Sequence, residues 1–354
     1  MIGKFLATVR VPSLAFTFPS QWKMRFAVAG STLLLLNAGA QSYRGAGELL
    51  FSSFGPTNVY KESHRFEFRV EGRRWWIKTK PTWPAPYDYR EAAFDGRTVY
   101  WLQSLESMVA ERKAAGENVG VNIANAFTQK DGDILHDLDL DQMPAIWLSY
   151  CSGAFFKQQT NAMIEPAIAF GLQPSKYCQG PFKQKALWTL HERFPHTPIQ
   201  VSYVADGWYR LPSPHEPVRR PAPFQDGFTN VVFKADQFKI IGSLALPQAA
   251  TIETFRPGVM PDEREKLVLR FRYELKLLSA ERTGKSEDDF VPKIPGVTTM
   301  IDDRFYSLAG SLSYFATNAW IDENTLTNSR RFATAVANKI CYSHDTKKDK
   351  PPKE

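Results

Sequence analysis

The amino-acid sequence predicts an α+β protein that is mainly β, with a large antiparallel sheet and a few helices packed on one face. Segments that alternate apolar and polar residues, as half-buried strands do, outnumber segments with helical spacing. Four Asp-Gly pairs begin at residues 95, 131, 206 and 226. Asp-Gly favours tight turns, because glycine adopts positive φ without a steric clash. The uneven spacing of these pairs argues against a propeller or any repeat of fixed period.

Length and composition allow a substantial core and give little support to nucleic-acid binding. The chain has 354 residues, of which 43% are apolar and 13% aromatic, with a net charge of +7. Four of these charges lie in residues 1–40, which contain no acid, so the remainder is close to neutral. That remainder contains no dense basic stripe interleaved with aromatic residues, and no nucleic-acid partner is predicted.

Residues 1–40 are predicted to contain a secretory signal peptide. A short basic start at Lys23 and Arg25 precedes an apolar run from Phe26 to Leu36, and small residues follow up to a cleavage site after Ala40. Residues 1–23 are then an extended n-region or an upstream extension, because Met24 stands where such a peptide would begin. The alternative is a buried helix or membrane anchor, but the apolar run is shorter than the roughly 20 residues that span a bilayer. The mature protein is therefore expected in the periplasm or cell envelope and outside the membrane.

Two β-hairpins are predicted at the start of the mature chain. The first covers residues 64–80 with its turn at Glu71-Gly72, and the second covers residues 90–102 with its turn at Asp95-Gly96. The adjacent Trp75 and Trp76 must face opposite sides of one strand. One of them is core, and the other requires a second cover, an apolar cavity or a sugar-stacking platform.

The rest of the chain is predicted to continue the sheet, with helices at two places. Residues 43–310 form the β-rich domain, with a proline-rich connection at 212–223, and residues 104–116 fit either a helix or a strand. Further strands are predicted at 121–127, 186–192, 199–204, 228–234, 238–246, 267–278 and 296–301. One helix is predicted at 141–150, and another follows a cap at Asn328-Ser329 within a C-terminal helical segment, 311–346. The tail at 347–354 is expected to be disordered.

No catalytic residue, metal ligand or cofactor is predicted from motifs. The acidic stretch from His136 to Asp141 lacks the glycine and distal glutamate of a calcium loop, and it fits a solvated connection that caps the next helix. No Gly-x-Ser-x-Gly elbow or phosphate-binding glycine loop is present. Cys151 and Cys178 could form a disulfide in an exported protein, or both could be buried thiols.

The pattern of the opening hairpins resembles bacterial outer-membrane lipoprotein carriers of the LolA/LolB type. The resemblance covers residues 60–105: Phe66-Glu-Phe68 and Trp75-Trp-Ile77, then the run from Phe94 through Asp-Gly to Tyr100. It implies a curved antiparallel sheet shaped as an open half-barrel, with helices as a lid over an apolar cavity that holds acyl chains. The chain departs from that family in its length, its 212–223 segment and its Cys151/Cys178 pair.

The leading functional hypothesis is an exported, non-enzymatic binding protein whose apolar concave face accepts a lipid or a lipidated partner. The residues predicted to line that face are Phe66, Phe68, Trp75, Tyr100, Phe271 and Tyr273. One alternative is a structural or assembly protein of the envelope whose sheet is filled and holds no cavity. A second is a hydrolase whose site residues meet only in the fold.

Overall fold

A computed structural model provides the fold. It describes residues 41–82, 87–105, 122–128, 147–149, 151–153, 156–158, 164–166, 185–194, 197–205, 207–209, 218–258, 260, 263–284, 290–317 and 319–338. Several predictions lie outside these residues: the signal peptide in 1–40, the assignment of 106–116, the acidic stretch 136–141, Cys178, the first half of the 212–223 connection, and the tail.

One 13-stranded sheet dominates the described structure, as the predicted fold class requires. Its strands in the first half of the chain are β1 (Ser42–Phe54), β2 (Val59–Glu71), β3 (Arg74–Pro81), β4 (Tyr89–Phe94), β5 (Thr98–Ser104), β6 (Asn122–Thr128), β9 (Lys185–Leu190) and β10 (Pro198–Ala205). The later strands are β13 (Phe228–Ile241), β14 (Leu244–Pro257), β15 (Leu267–Thr283), β16 (Val297–Asp302) and β17 (Leu312–Thr317). Two small ribbons pair β7 (Phe156–Gln158) with β8 (Ile164–Pro166), and β11 (Trp208–Tyr209) with β12 (Val218–Arg219).

The sheet is open, with β17 and β9 at the two ends of its order. From one end to the other the strands run β17-β16-β6-β5-β4-β3-β2-β1-β15-β14-β13-β10-β9. Neighbours are antiparallel except β6 and β16, which are parallel. Register shifts between Ala46 and Gly47, between Tyr203 and Val204, and between Thr254 and Phe255 mark bulges or irregular pairing. Bulges bend the strand that carries them and increase the local twist, so they favour a curved sheet.

The two opening hairpins form as predicted. Val70 pairs with Trp75 and Glu71 with Arg74, which leaves a two-residue turn in which Gly72 has a φ of 58°. In the second hairpin Phe94 pairs with Val99. The Oδ1 atom of Asp95 accepts hydrogen bonds from the backbone N–H groups of Arg97 and Thr98, at 2.8 and 2.7 Å. The aspartate therefore closes the turn through its side chain.

The predicted break between strands 228–234 and 238–246 is wrong. Residues Phe228–Ile241 form one continuous strand, and the hairpin turns at Gly242-Ser243, where Gly242 has a φ of 60°. The irregular point inside the strand is Gln237, which has a φ of 52°. The pairing with β14 keeps one register across Gln237, so this residue does not end β13, and the glycine at 242 supplies the reversal of direction.

The sheet also extends beyond the predicted domain boundary at residue 310. After a short helix, α1 (Tyr306–Ala309), the chain forms β17, whose side chains are buried and exposed in strict alternation. That period of two is typical of a strand and unsuited to the predicted helical segment. After β17, helical structure resumes at α2 (Glu323–Thr327), capped by Asp322, and further helical residues lie at 330–338. There the Ser329 Oγ accepts from the Phe332 N–H at 3.1 Å, which confirms the predicted cap.

The sheet has two faces that are covered differently. We call face A the side that carries Phe66 and Trp75, and face B the side that carries Trp76 and Tyr100. The largest buried cluster lies on face A and spans the strands from β5 to β10. On face B, the C-terminal helical residues Leu326 and Phe332 pack against β5, β6, β16 and β17. Within the described residues, no helix is both long and apolar enough to cross a membrane.

Candidate functional site

Five of the six predicted lining residues lie on face A. Phe66, Phe68 and Trp75 are each at most 2% exposed, and Tyr273 is 1% exposed. Phe271 is half-buried and packs against the same cluster. Because β2 and β15 both pair with β1, their apolar rows form one surface on this side of the sheet. The structure therefore brings these five residues together.

Tyr100 does not belong with the other five, which corrects the predicted grouping. It pairs with Ala93 on face B, whereas its neighbours Val99 and Trp101 face A. Its ring lies edge-on to Trp320 at 4.9 Å, and its hydroxyl donates to Asp95 Oδ2 at 3.0 Å. Burial and the nearby charge of Asp95 raise the pKa of Tyr100. Which face Tyr100 takes is decided by the register across the Asp95 turn.

Two glycines of β1 leave space on face A that two phenylalanine rings of β2 occupy. Gly45 pairs with Phe68 and Gly47 with Phe66. A Cβ on Gly45 would come 2.6 Å from the Phe68 ring, and one on Gly47 would contact the Phe66 ring. The rings occupy the space that side chains on β1 would otherwise fill. The absence of side chains at these two positions therefore allows the aromatic residues to lie across the strand.

A helical turn packs on these rings from outside the sheet. We call residues 147–149 and 151 the Trp147 turn; residues 147–149 are the described part of the helix predicted at 141–150, and Cys151 follows that range. The Trp147 ring contacts Phe66 and Phe68 edge-on, with centroid separations of 5.7 and 5.3 Å. Among the described residues, the only members of the face A cluster outside the strands are Trp147, Leu148 and Cys151.

Cys151 is a free, buried cysteine in the structure, and Cys178 lies outside the described residues. The predicted disulfide between them stays a prediction. Burial raises the pKa of the Cys151 thiol well above its ordinary value. A thiol of this kind has little thiolate at neutral pH, which argues against a nucleophilic role for Cys151.

At its β15 end, face A continues as a second aromatic group. Phe51 of β1 lies 4.9 Å from Tyr273 and 5.7 Å from Phe271, measured between ring centroids. Further along the sheet the face carries the buried Tyr203 and Phe233. The alternation of β13 and β10 could have indicated that these two residues are core, but their place beside β14 and β15 depends on the strand order.

Two tryptophans on face A have buried indole N–H groups without a hydrogen-bond acceptor. Trp75 is fully buried and Trp101 is 8% exposed, and the Nε1 atom of each lacks a partner in the described structure. On the opposite face the Nε1 of Trp76 donates to Glu91 at 3.0 Å. The Nε1 of Trp320 donates to the Pro292 carbonyl at 2.7 Å. The prediction that Trp75 and Trp76 face opposite sides is confirmed, and the second side is covered near Val291 and Trp320.

Polar side chains border the apolar part of face A. The Glu62 carboxylate accepts from the Tyr87 hydroxyl at 3.2 Å and lies 3.4 Å from His64 Nε2. The Arg90 guanidinium stacks 3.8 Å above the Tyr87 ring. Register places His64 beyond Phe66 on β2, and Arg90 beyond Ala92 on β4. Face A therefore changes from apolar to polar along its strands.

A groove on face B is open and is lined by charged as well as apolar side chains, unlike the buried part of face A. It has a volume of about 660 Å³ and lies between β1, β2, β3 and β15. Its lining residues are Arg44, Gly45, Ala46, Glu67, Phe68, Arg69, Trp76, Lys239, Leu278, Ser279, Ala280 and Glu281. Both signs of charge occur there, and Arg44 is already paired with Glu281 at 2.6 Å. The described residues contain no cluster of three or more His, Cys, Asp or Glu side chains that could bind a metal ion.

Comparisons with known proteins give low similarity. No protein-family model matches the sequence, and no curated protein is significantly similar to it. Among solved structures, a LolA superfamily protein from Nitrosomonas europaea has a TM-score of 0.31 and 9% identity, covering 72% of this chain and 91% of its own. An outer membrane lipoprotein-sorting protein domain from Vibrio parahaemolyticus has a TM-score of 0.28 and 10% identity, with coverages of 74% and 94%. A DUF1329 family protein from Desulfovibrio piger has a TM-score of 0.24 and 10% identity, with coverages of 77% and 96%.

Proposed function

We propose that the protein is an exported binding protein that holds an acyl chain, of a lipid or a lipidated partner, against face A. The observation that carries the proposal is the composition of this face. Its buried cluster on β2, β3, β5, β13 and β15 consists of aromatic and aliphatic side chains, and the described cover of that cluster is the Trp147 turn. An acyl chain requires such a surface, since its binding comes almost entirely from removing apolar area from water.

The Trp147 turn is the part that an incoming chain would displace. Its described contacts with the sheet are aromatic, at Phe66 and Phe68. A hydrocarbon chain that replaced the Trp147 ring would exchange one apolar contact for another of similar strength. The exchange would therefore cost little free energy beyond that of moving the turn itself. Export is supported by the signal-peptide pattern within residues 1–40.

A filled sheet without a ligand is the second candidate, and the burial of face A favours it. Trp75, Phe94, Val99 and Leu148 are each fully buried. Such packing is typical of a protein interior, where few voids exceed the size of a water molecule. On this reading the protein is a structural or assembly component of the envelope.

Native mass spectrometry of the protein, isolated from its envelope without detergent, tests the first candidate. We expect a bound species whose mass matches a lipid and which an organic solvent removes. The apo mass alone, together with no uptake of the apolar fluorophore N-phenyl-1-naphthylamine, would favour the filled sheet.

Two leucine substitutions then locate the site. Phe68→Leu changes a residue of face A that is 1% exposed, and Phe290→Leu makes the same change at an equally buried residue whose ring lies under Arg69 of face B. We expect Phe68→Leu to weaken fluorophore binding several-fold and Phe290→Leu to leave it unchanged. Equal effects of the two variants would place binding elsewhere.

A further inference from the structure

The two unpaired indole donors of face A carry an inference about the chemistry of the ligand. Trp75 and Trp101 lie on β3 and β5, on either side of β4. Register places Trp101 opposite Ala92, and Ala92 opposite Ile77, the next face A residue after Trp75 on β3. Ala92 is the smallest side chain of this group. Both donors thus belong to one region of the face, around a position where the side chain is short.

Buried polar groups in proteins almost always have a hydrogen-bond partner, so each exception requires an explanation. Both indole donors described on face B are paired: Trp76 with Glu91 and Trp320 with Pro292. A buried water explains Trp75 poorly. Such a water needs two to four polar partners, whereas the strand neighbours of Trp75 on this face are Val70 and Phe94.

We propose that Trp75 and Trp101 donate hydrogen bonds to carbonyl oxygens of the bound lipid, so that the ligand is an acyl ester or amide and not a plain hydrocarbon. The inference rests on the proposed function, because it requires a ligand on face A. An ester or amide carbonyl is an acceptor without a net charge, which is what a buried N–H in an apolar site can satisfy. The indoles would thereby fix how far the acyl chain enters along the strands.

Competition between two ligands of similar length tests the inference on the full-length protein. Methyl laurate carries an ester group, and tetradecane carries no acceptor; each is delivered from cyclodextrin and displaces N-phenyl-1-naphthylamine. We expect the wild type to bind methyl laurate about tenfold more tightly than tetradecane, the ratio expected for one or two neutral hydrogen bonds in an apolar site. Trp75→Phe and Trp101→Phe keep an aromatic ring and remove the N–H. Each is expected to lower the ester preference severalfold while leaving tetradecane binding unchanged.

Trp76→Phe is the matched control, because it removes an indole N–H on face B that is already paired with Glu91. We expect it to keep the full preference for the ester. Thermal unfolding shows that the variants are folded; in Trp75→Phe the gain from removing an unsatisfied donor is opposed by the cavity that the smaller ring leaves in a fully buried site, so the variant has only to remain folded at the assay temperature. Equal affinity of the wild type for both ligands, or an unchanged preference in both face A variants, overturns the inference and leaves the proposed function standing. Failure of both ligands to displace the fluorophore overturns both.

Discussion

At the scale of single residues, a buried ion pair fixes the end of the sheet formed by β16 and β17. Asp302 is 1% exposed, and its carboxylate accepts from Arg304 Nε at 3.0 Å and from the Tyr314 hydroxyl at 2.8 Å. The Arg304 guanidinium also donates to the Ile321 carbonyl at 2.6 Å. Burial lowers the pKa of Arg304, but the hydrogen bonds and charge of Asp302 outweigh it and raise the pKa overall. The pair thus connects two strands to the segment that precedes α2.

Removing one partner of this pair should be strongly destabilising. Asp302→Ala leaves Arg304 charged and buried without its carboxylate, and we expect a loss of about 3–5 kcal/mol in the free energy of unfolding. Glu281→Gln is the control, because it breaks the Arg44–Glu281 pair, whose side chains are 65% and 60% exposed. That change should cost less than about 1 kcal/mol. Urea denaturation of both variants measures the difference, and similar costs would contradict the prediction.

The buried Tyr314 hydroxyl is expected to lower the free energy of unfolding of the protein at alkaline pH. Burial and the negative charge of Asp302 raise the pKa of its hydroxyl above the ordinary value near 10. Above about pH 10 the Tyr314 hydroxyl loses its proton in the unfolded chain and keeps it in the native state. The contribution of Tyr314 to the free energy of unfolding is therefore constant below the unfolded pKa and falls as pH rises above about 10.

The expected contribution of Tyr314 is about 1.4 kcal/mol per pH unit in that range. Urea unfolding of the wild type and of Tyr314→Phe measures this contribution. The comparison is made at several pH values from neutral to strongly alkaline. Lysines titrate in both proteins and cancel in the comparison. Parallel curves for the two proteins would show that Tyr314 ionises normally.

At the scale of strands and turns, alternation predicted most of the fold and could not predict how strands meet. The strand at 267–278 and the turns at Gly72 and Asp95 follow from local sequence, and the structure contains all three. The turn at Gly242 was missed because the irregular residue Gln237 interrupts the alternation of β13 before the strand ends. Tyr100 was misplaced because the face of a residue depends on register, and one step of register moves every side chain to the other side.

The glycines of β1 provide a test at this scale. In Gly45→Ala the new Cβ would lie 2.6 Å from the Phe68 ring and in contact with the backbone oxygen of Ser279. The backbone cannot move aside as a flexible side chain can. We therefore expect the free energy of unfolding to fall by about 1–3 kcal/mol. Gly284→Ala is the control, because no atom lies within 4 Å of the point where its new Cβ would be. It should change stability by less than about 0.5 kcal/mol. Equal thermal midpoints for the two variants would refute the close approach at Gly45.

At the scale of the whole molecule, the order of the strands in the sheet could not be predicted from local sequence patterns. Hairpins between consecutive strands follow from turn signals, but β1 pairs with β15 and β6 pairs in parallel with β16. No local pattern in any of these four strands names its distant partner. The composition of the candidate site could not be predicted for the same reason, because the residues of β2 and β15 share one surface only when β1 pairs with both strands.

Export is tested on a chain that includes residues 1–40. Expression in a bacterium with an outer membrane, followed by release of the periplasmic fraction, should give a mature protein that begins at Gln41, as intact mass and N-terminal sequencing would show. Ala40→Asp places a charged residue where the cleavage site needs a small one, and it should leave the precursor uncut. A wild-type chain that keeps residues 1–40 in the cytoplasmic fraction would contradict the predicted signal peptide.

The pairing of β1 with β15 also bears on how the protein assembles over time. Strands β1 to β6 are neighbours in both sequence and space, so their hairpins can form early from local contacts. The other edge of β1 pairs with residues that are far away along the chain; Ser42, for example, pairs with Thr283. Closing so long a loop is slow, and until it closes β1 presents a row of unpaired N–H and C=O groups to any other extended chain. The pairing of β1 with β15 is therefore a step at which folding competes with aggregation.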